Sequence, residues 1–163
     1  MKLKFSLKGF KKYYLHFFVI FSMLGILGVN PKTEAESGVE FKGMLFFEVQ
    51  ENPTYIPQWE ELTTIFYTST SRYIYTMLQL NNLKYQISEQ PVSITLKYFK
   101  PDGTNFGEPV INYTIPADWD VAELWQGWGW ADAGYWEAGD WRVEAWLNNS
   151  EKLGEYSFKV VSN

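Results

Sequence analysis

Residues 123–146 read ELWQGWGWADAGYWEAGDWRVEAW and hold six of the chain's eight tryptophans: Trp125, Trp128, Trp130, Trp136, Trp141 and Trp146. Parity sorts the end of this stretch. In an extended chain successive side chains point to opposite faces. Trp141, Val143, Ala145 and Leu147 then form an apolar face, while Arg142, Glu144 and Trp146 form the other. Trp141 reads as core, and Trp146 sits among charges. A buried tryptophan removes roughly 150–250 Å² from water. At ~25 cal/mol per Å² that is about 4–6 kcal/mol gross, an upper bound. The chain has no cysteine, so packing must supply what a disulfide would.

Strand patterns extend outward in both directions. Val92, Ile94, Leu96 and Tyr98 alternate with Ser93, Thr95 and Lys97, and Lys100–Gly103 (KPDG) supplies the turn. Val39, Phe41, Leu45, Phe47 and Val49 share a predicted face opposite Glu40, Lys42 and Glu48. Leu62–Thr68 is a second strand, rich in residues that favour sheets. In Arg72–Leu80 both faces are apolar, with Ile74, Leu78 and Leu80 on one and Tyr73, Tyr75 and Met77 on the other; such a strand belongs in the middle of a sheet. Val110–Ile115 follows. Residues 116–126 read as one helical turn or a long loop. Trp141–Leu147 and Tyr156–Val161 form a closing hairpin. About seven short strands with regular turns and no amphipathic helix predict an all-β chain, an antiparallel immunoglobulin-like sandwich.

The N-terminus differs from the rest. Met1–Lys12 contains five lysines and no acid, and residues 13–31 contain no Asp, Glu, Lys or Arg. A basic start before an apolar run is the layout of an export signal. Small residues at Thr33/Ala35 and Ala35/Ser37 offer two cleavage sites. The competing reading is a retained anchor helix, for which the run from Tyr13 to Val29 just reaches the roughly 17-residue lower limit. Either way the remainder is expected outside the cytoplasm: periplasmic, extracellular, or anchored with the domain outward. The expected organisation is a signal or anchor over 1–35, a connector and first-strand start over 36–42, and the sandwich over 43–162.

Charge and composition exclude several functions. Residues 36–163 carry eight Lys and Arg against eighteen Asp and Glu, a formal net charge of −10. Nucleic acid binding needs the opposite balance. The same charge disfavours an anionic membrane surface, so membrane contact is expected only through an uncleaved N-terminal segment. The sole histidine, His16, lies in the apolar run, so histidine-based triads are excluded from the exported part and a zinc site is not expected. GWGW (residues 127–130) opens no helix after a strand and is no dinucleotide fingerprint. Asp118, Asp120 and Glu123 have close oxygen spacing but lack the glycine and further ligands of a calcium loop. No cofactor or metal is expected. Asn112-Tyr113-Thr114 and Asn148-Asn149-Ser150 match the glycosylation sequon, which carries no meaning if the source is bacterial.

Two uses of the tryptophans remain. Asp132, Glu137, Asp140 and Glu144 lie among them, and flat rings beside carboxylates suit sugar stacking. The ligand-facing candidates are Trp125, Trp128 and Trp146. Arg72 and Arg142, flanked by aromatics or acids, are expected to form ion pairs or stack on rings.

Taken in order, LFFE (45–48), RYIY (72–75), YFKPDG (98–103), GWGW (127–130), GYWEAGDWRVE (134–144) and FKV (158–160) resemble a poorly characterised family of exported bacterial β-sandwich domains common in cyanobacteria. Such domains are appendages to larger proteins, some with tetratricopeptide repeats or trypsin-like protease domains. The resemblance covers about residues 43–162 and implies no catalytic residue. It implies structural roles for Trp119, Trp130, Trp136 and Gly139, and also for Trp128 and the Arg142–Glu144 segment. The chain departs from the pattern at Ala138, where similar sequences have proline, and at Asn148–Lys152, where they have a tighter Asp-Gly turn. The expectation is a non-catalytic exported module that contacts a protein partner at the envelope or outside the cell. The alternative is a carbohydrate-binding module using exposed tryptophans, with a glycan as partner.

Overall fold

The computed structural model describes residues 38–48 and 62–162. Among them nine strands form: β1 (Val39–Glu48), β2 (Ile65–Tyr67), β3 (Tyr73–Asn82), β4 (Gln90–Phe99), β5 (Asn105–Gly107), β6 (Val110–Ile115), β7 (Val121–Gly129), β8 (Gly139–Leu147) and β9 (Glu151–Val161). The N-terminal signal or anchor helix, the start of the connector and residues 49–61 lie outside the described residues.

The first sheet has the order β1-β3-β7, and the second runs β2-β9-β8-β4, with β5 and β6 both pairing β4. With β1, β3 and β7 as strands A, B and E, and β4, β8 and β9 as C, F and G, the sheets read A-B-E and G-F-C. That is immunoglobulin-like strand order. The pairings are antiparallel except β2, which lies parallel to β9. The expected second strand over Leu62–Thr68 is present but shorter, as β2, and the expected count of about seven strands misses the three-residue β5. The expected loop or helical turn over 116–126 is also corrected. From Val121 the chain is already β7, paired with β3 from Asn81 down to Tyr73.

The double-sided β3 does lie at the centre of its sheet. Ile74, Leu78 and Leu80 enter the main core, and Tyr75 and Met77 enter a smaller cluster with Phe47 on the outer side. In β1 the expected single face is wrong. A bulge between Phe41 and Gly43 leaves Lys42 unpaired and shifts the register against β3. One extra residue reverses the parity beyond it. Val39, Met44 and Phe46 therefore join the main core, while Phe47 joins the outer cluster with Leu45 packed against it.

The main core lies between the two sheets and is aromatic at one end. Trp141 of β8 is 1% exposed, and so is Trp136 in the β7–β8 connection. Their ring centroids are 4.8 Å apart at an interplanar angle of 73°. Phe158 of β9 joins them, stacked on Trp141 at 6.1 Å and edge-on to Phe46 of β1 at 5.1 Å. Edge-to-face and offset contacts at these separations add to the burial of apolar area. The two buried indole N–H groups are satisfied by backbone: Trp136 donates to the Arg72 carbonyl at 2.8 Å and Trp141 to the Glu137 carbonyl at 2.8 Å.

One polar link crosses the core. The hydroxyls of Thr76 on β3 and Tyr98 on β4 are 2.7 Å apart and both residues are fully buried. It joins the two sheets. Burial pushes the Tyr98 phenol above its ordinary value of 10.0, against the opposing pull of the Thr76 hydrogen bond. Tyr98→Phe is expected to cost about 1–3 kcal/mol in denaturant unfolding, because it strands the buried Thr76 hydroxyl. Adding Thr76→Val should recover most of that loss. The pH dependence follows from the raised phenol. Above its ordinary value the unfolded chain loses this proton while the folded chain keeps it, so stability falls as pH rises. Tyr98→Phe should flatten that decline, leaving a residual slope from Tyr75 and Tyr113, which burial also raises.

Candidate functional site

The tryptophans singled out as ligand-facing do not meet. Trp125 lies on the outer face of the first sheet, packed against the cluster of Phe47, Tyr75 and Met77. Trp128 is packed against the main core, edge-on to Phe106 at 6.4 Å. Trp146 lies on the outer face of the second sheet. All three are half-buried. The three therefore form no common platform: two lie on outward surfaces of different sheets and the third at the rim of the core. Their spacing in sequence could not reveal this, because β7 and β8 belong to different sheets.

The residues assigned structural roles separate by depth. Trp136 and Trp141 are buried, whereas Trp130 and Trp119 are partly buried and pack against the core. Trp130 lies 5.4 Å from Trp136, and Trp119 lies 6.1 Å from Tyr113. Gly139 is half-buried, at the entry to β8, and has a φ of +138°. A Cβ there would stand 2.6 Å from the Pro101 ring, so conformation and space both require glycine.

The richest chemistry among the described residues lies around Trp146. On β4, Lys97 and Phe99 alternate with the buried Leu96 and Tyr98. On β8, Arg142, Glu144 and Trp146 alternate with Trp141, Val143 and Ala145. The register sets Lys97 opposite Glu144, Phe99 opposite Arg142, and Thr95 opposite Trp146. The Arg142 guanidinium lies 4.0 Å from the Phe99 ring centroid, and the Lys97 ammonium 4.6 Å from that of Trp146. Both are in cation–π range.

Glu144 anchors this face. Its side chain is only 9% exposed. The register places it directly opposite Glu155 of β9, and facing like charges on neighbouring strands repel. Two cations offset that repulsion. Lys152 reaches Glu144 at 3.1 Å and Glu155 at 2.6 Å, and Arg142 pairs with Glu144 and reaches Glu155 at 3.4 Å. The Trp146 indole N–H donates to the remaining Glu144 oxygen at 2.8 Å. Partial desolvation works to raise Glu144, but hydrogen bonds from Trp146, Lys152 and Arg142 outweigh it and hold the carboxyl below its ordinary value. For Glu155 the hydrogen bond from Lys152 is the largest cause of a lowered value.

Sequence parity identified Arg142, Glu144 and Trp146 as neighbours. It missed Lys97, Phe99, Lys152 and Glu155 as parts of the same surface. The outward parity of Lys97 was legible, but Phe99 lay just past the expected strand end, Lys152 and Glu155 fell before the expected strand start at Tyr156, where β9 already begins at Glu151, and the register joining three strands was not readable. Arg142 both pairs and stacks. Arg72 instead acts through its backbone: its N–H donates to Glu48 at 2.9 Å and its carbonyl accepts from Trp136. Among the described residues no three Asp, Glu, His or Cys side chains are placed to hold a metal ion. Glu123 of the acidic 118–123 stretch accepts a hydrogen bond from Gln79 at 3.0 Å. No helix among the described residues is long and apolar enough to cross a membrane.

The fold and site thus define an all-β, two-sheet domain with a cation–aromatic outer face. No family model and no curated protein matches the chain. Among solved structures it is similar to an alkylpurine DNA glycosylase from Pseudomonas fluorescens, AlkC, bound to DNA containing an abasic-site analogue. The identity is 15% and the TM-score 0.46, with 78% of this chain and 31% of that chain covered, so the likeness spans about a third of the glycosylase. An immunoglobulin-like protein from Pseudomonas aeruginosa is 20% identical with a TM-score of 0.44, covering 80% of this chain and all of the other. The CARDB domain of a Pyrococcus furiosus protein, in complex with di-metal ions, is 13% identical with a TM-score of 0.38, covering 76% of this chain and 85% of that one. At these TM-scores the likenesses carry no functional weight, and the sandwich assignment rests on strand order and the shared core.

The lowered carboxyls set an expectation for acid. Between the ordinary and the lowered values the unfolded chain binds more protons, so this part of the stability is present at neutral pH and is lost as pH falls through the carboxylate range. Glu144→Gln should therefore be less stable than the parent at pH 7, and the difference should shrink as unfolding is measured at progressively more acid pH.

Proposed function

We propose that the chain is an exported, non-catalytic β-sandwich module that docks on a protein partner at or beyond the cell envelope. The docking surface is the outer face of its larger sheet. One observation carries this reading: Arg142 on Phe99 and Lys97 on Trp146 form two stacked cation–aromatic pairs side by side, braced by Glu144. Tryptophan and arginine are enriched among the residues that dominate protein–protein binding energy. The face carries Lys97, Arg142 and Lys152 against Glu144 and Glu155, a local excess of positive charge. The rest of the domain is acidic. A partner surface with acidic groups around an apolar centre would be complementary.

Export is supported by the lysine-rich start and the apolar run over residues 13–31. The ordered motifs from LFFE to FKV favour membership of the exported bacterial sandwich family. A module of that kind would act by contact.

Capture of envelope proteins by the full chain tests this reading through its variants. Arg142→Ala and Trp146→Ala should each reduce recovery of the bound partner by about tenfold or more, the loss expected when a central contact residue is truncated. Trp125→Ala, on the other sheet, should leave it unchanged. Equal recovery by all three variants, or turnover of a substrate by the purified chain, would contradict the proposal.

A further inference from the structure

The connection between β3 and β4 carries apolar side chains where surface turns ordinarily carry polar ones. Every residue from Leu83 to Glu89 is exposed. Seven large apolar side chains are exposed among the described residues, and three of them fall in this turn: Leu83 at 47%, Tyr85 at 40% and Ile87 at 77%. Single exposed apolar residues need no explanation, but a cluster does. The other four are dispersed. Ile65 and Tyr67 flank Phe66 on β2, Val110 begins β6, and Tyr135 lies 5.4 Å from Trp130.

The backbone of the turn faces inward. Six consecutive N–H groups, from Leu83 to Ser88, donate within the domain. Leu83 donates to the Gly38 carbonyl at 3.0 Å, Lys84 to the Asn82 side chain at 2.9 Å and Gln86 to the Ala117 carbonyl at 2.6 Å. Tyr85 donates to the Asn82 carbonyl, and Ile87 and Ser88 both donate to that of Lys84. Asn82 itself is 4% exposed and donates to the carbonyls of Pro116 and Trp119. A turn bathed in water has no need of so complete a set. A turn in lipid does, because no water is there to satisfy a free N–H. The side chains are then left to point away from the domain.

The same end receives the N-terminal segment, at Gly38 beside Leu83. Six residues, 32–37, separate Gly38 from the uncharged run over 13–31. Fully extended they span at most about 22 Å. Ten-residue strands such as β4 are about 33 Å long. With the run held in a membrane, so short a tether prevents the domain from inverting and keeps this end near the bilayer. Lys84 is the cation of the turn, and Glu89, Asp118 and Asp120 are exposed at the same end. That balance disfavours an anionic surface and suits a zwitterionic one. Tyrosine is at home at headgroup depth, and a lysine stem can carry its ammonium back to water.

We infer that the β3–β4 turn rests in the surface of a zwitterionic lipid bilayer, with Leu83, Tyr85 and Ile87 in the boundary between headgroups and acyl chains. The inference rests on the export reading, in the form that retains the N-terminal run as an anchor. It leaves the Arg142–Trp146 face, on the outer side of the larger sheet, free for a protein partner.

The absence of cysteine makes the test direct. Ile87→Cys, Asp132→Cys and Ile20→Cys each carry one fluorophore on the full chain, reconstituted in phosphatidylcholine vesicles with and without nitroxide-labelled lipid. Asp132 is exposed in the β7–β8 connection, at the far end of the domain. The nitroxide should quench position 87 several-fold more than position 132, as expected for a group about 5–10 Å into the interface. Ile87→Asp, read through Leu83→Cys, should lower that quenching to the level of position 132. Both residues are exposed, so folding should survive, and an unchanged unfolding midpoint would verify it. Trp146→Ala should leave quenching at position 87 unchanged. Strong quenching at position 20 with equal, weak quenching at 87 and 132 would overturn the inference and leave the anchor standing. No quenching at position 20, or release of the domain by cleavage before Gly38, would overturn the anchor and the inference together. Shielding of position 87 from water without quenching by the nitroxide would assign the turn to a protein contact, and would overturn the inference as well.

Discussion

The carbonyl oxygen of Arg72 is the point at which this sandwich is tied shut. It accepts the Trp136 indole N–H at 2.8 Å and the Trp130 backbone N–H at 3.3 Å. Gly129 lies against it so closely that a Cβ would stand 2.0 Å away. One residue earlier, the Ser71 hydroxyl donates to Glu48 at 2.8 Å, and the Arg72 N–H donates to the other oxygen of the same carboxylate. The end of β1, the start of β3 and the β7–β8 connection thus converge on two consecutive residues. In a chain with no cysteine, this corner and the indole it holds do the closing that a covalent cross-link would otherwise do.

The outer surfaces follow from that closure. Once Trp141, Val143 and Ala145 are fixed inward, Arg142, Glu144 and Trp146 have only the outer face to occupy. The same holds for Lys97 and Phe99 between buried Leu96 and Tyr98. Packing inside therefore sets the spacing of charges and rings outside. Glu144 then fixes their orientation, because its nearly buried carboxylate is useful only while Arg142, Lys152 and Trp146 remain around it. Removing those partners would leave a desolvated charge next to Glu155.

Much of this was legible in the amino-acid order, for physical reasons. The alternation in Val92–Tyr98 and Trp141–Leu147 reports which side chains are buried, since burial and period two have the same geometric origin. The apolar character of both faces of β3 reports its central place. Other features left only weak local traces. The bulge at Lys42 breaks the parity of β1, and the adjacent Gly43 marks it, but alternation alone does not place the shift. Residues 121–129 combine one acid, two glycines and two tryptophans in a way that hides a strand, whose pairing with β3 overrides weak local preference. The cation–aromatic face joins Lys97 and Phe99 of β4 and Lys152 and Glu155 of β9 to the β8 group Arg142, Glu144 and Trp146. Parity places the β8 group together, but register alone brings the three strands to one surface. Trp125, Trp128 and Trp146 show the converse: close in sequence, they are separated by the change of sheet between β7 and β8.

The distinction between indole as structure and indole as surface is tested most directly by comparing Trp136→Ala with Trp146→Ala in equilibrium denaturant unfolding of the full chain. Losing the ring that fills the closed end should cost about 3–5 kcal/mol, the range for a buried aromatic truncated to alanine. Losing the outward ring should cost about 1 kcal/mol or less, as for most surface positions. Equal losses, or a greater loss at Trp146, would contradict an account in which the Arg72–Trp136 corner holds the two sheets together.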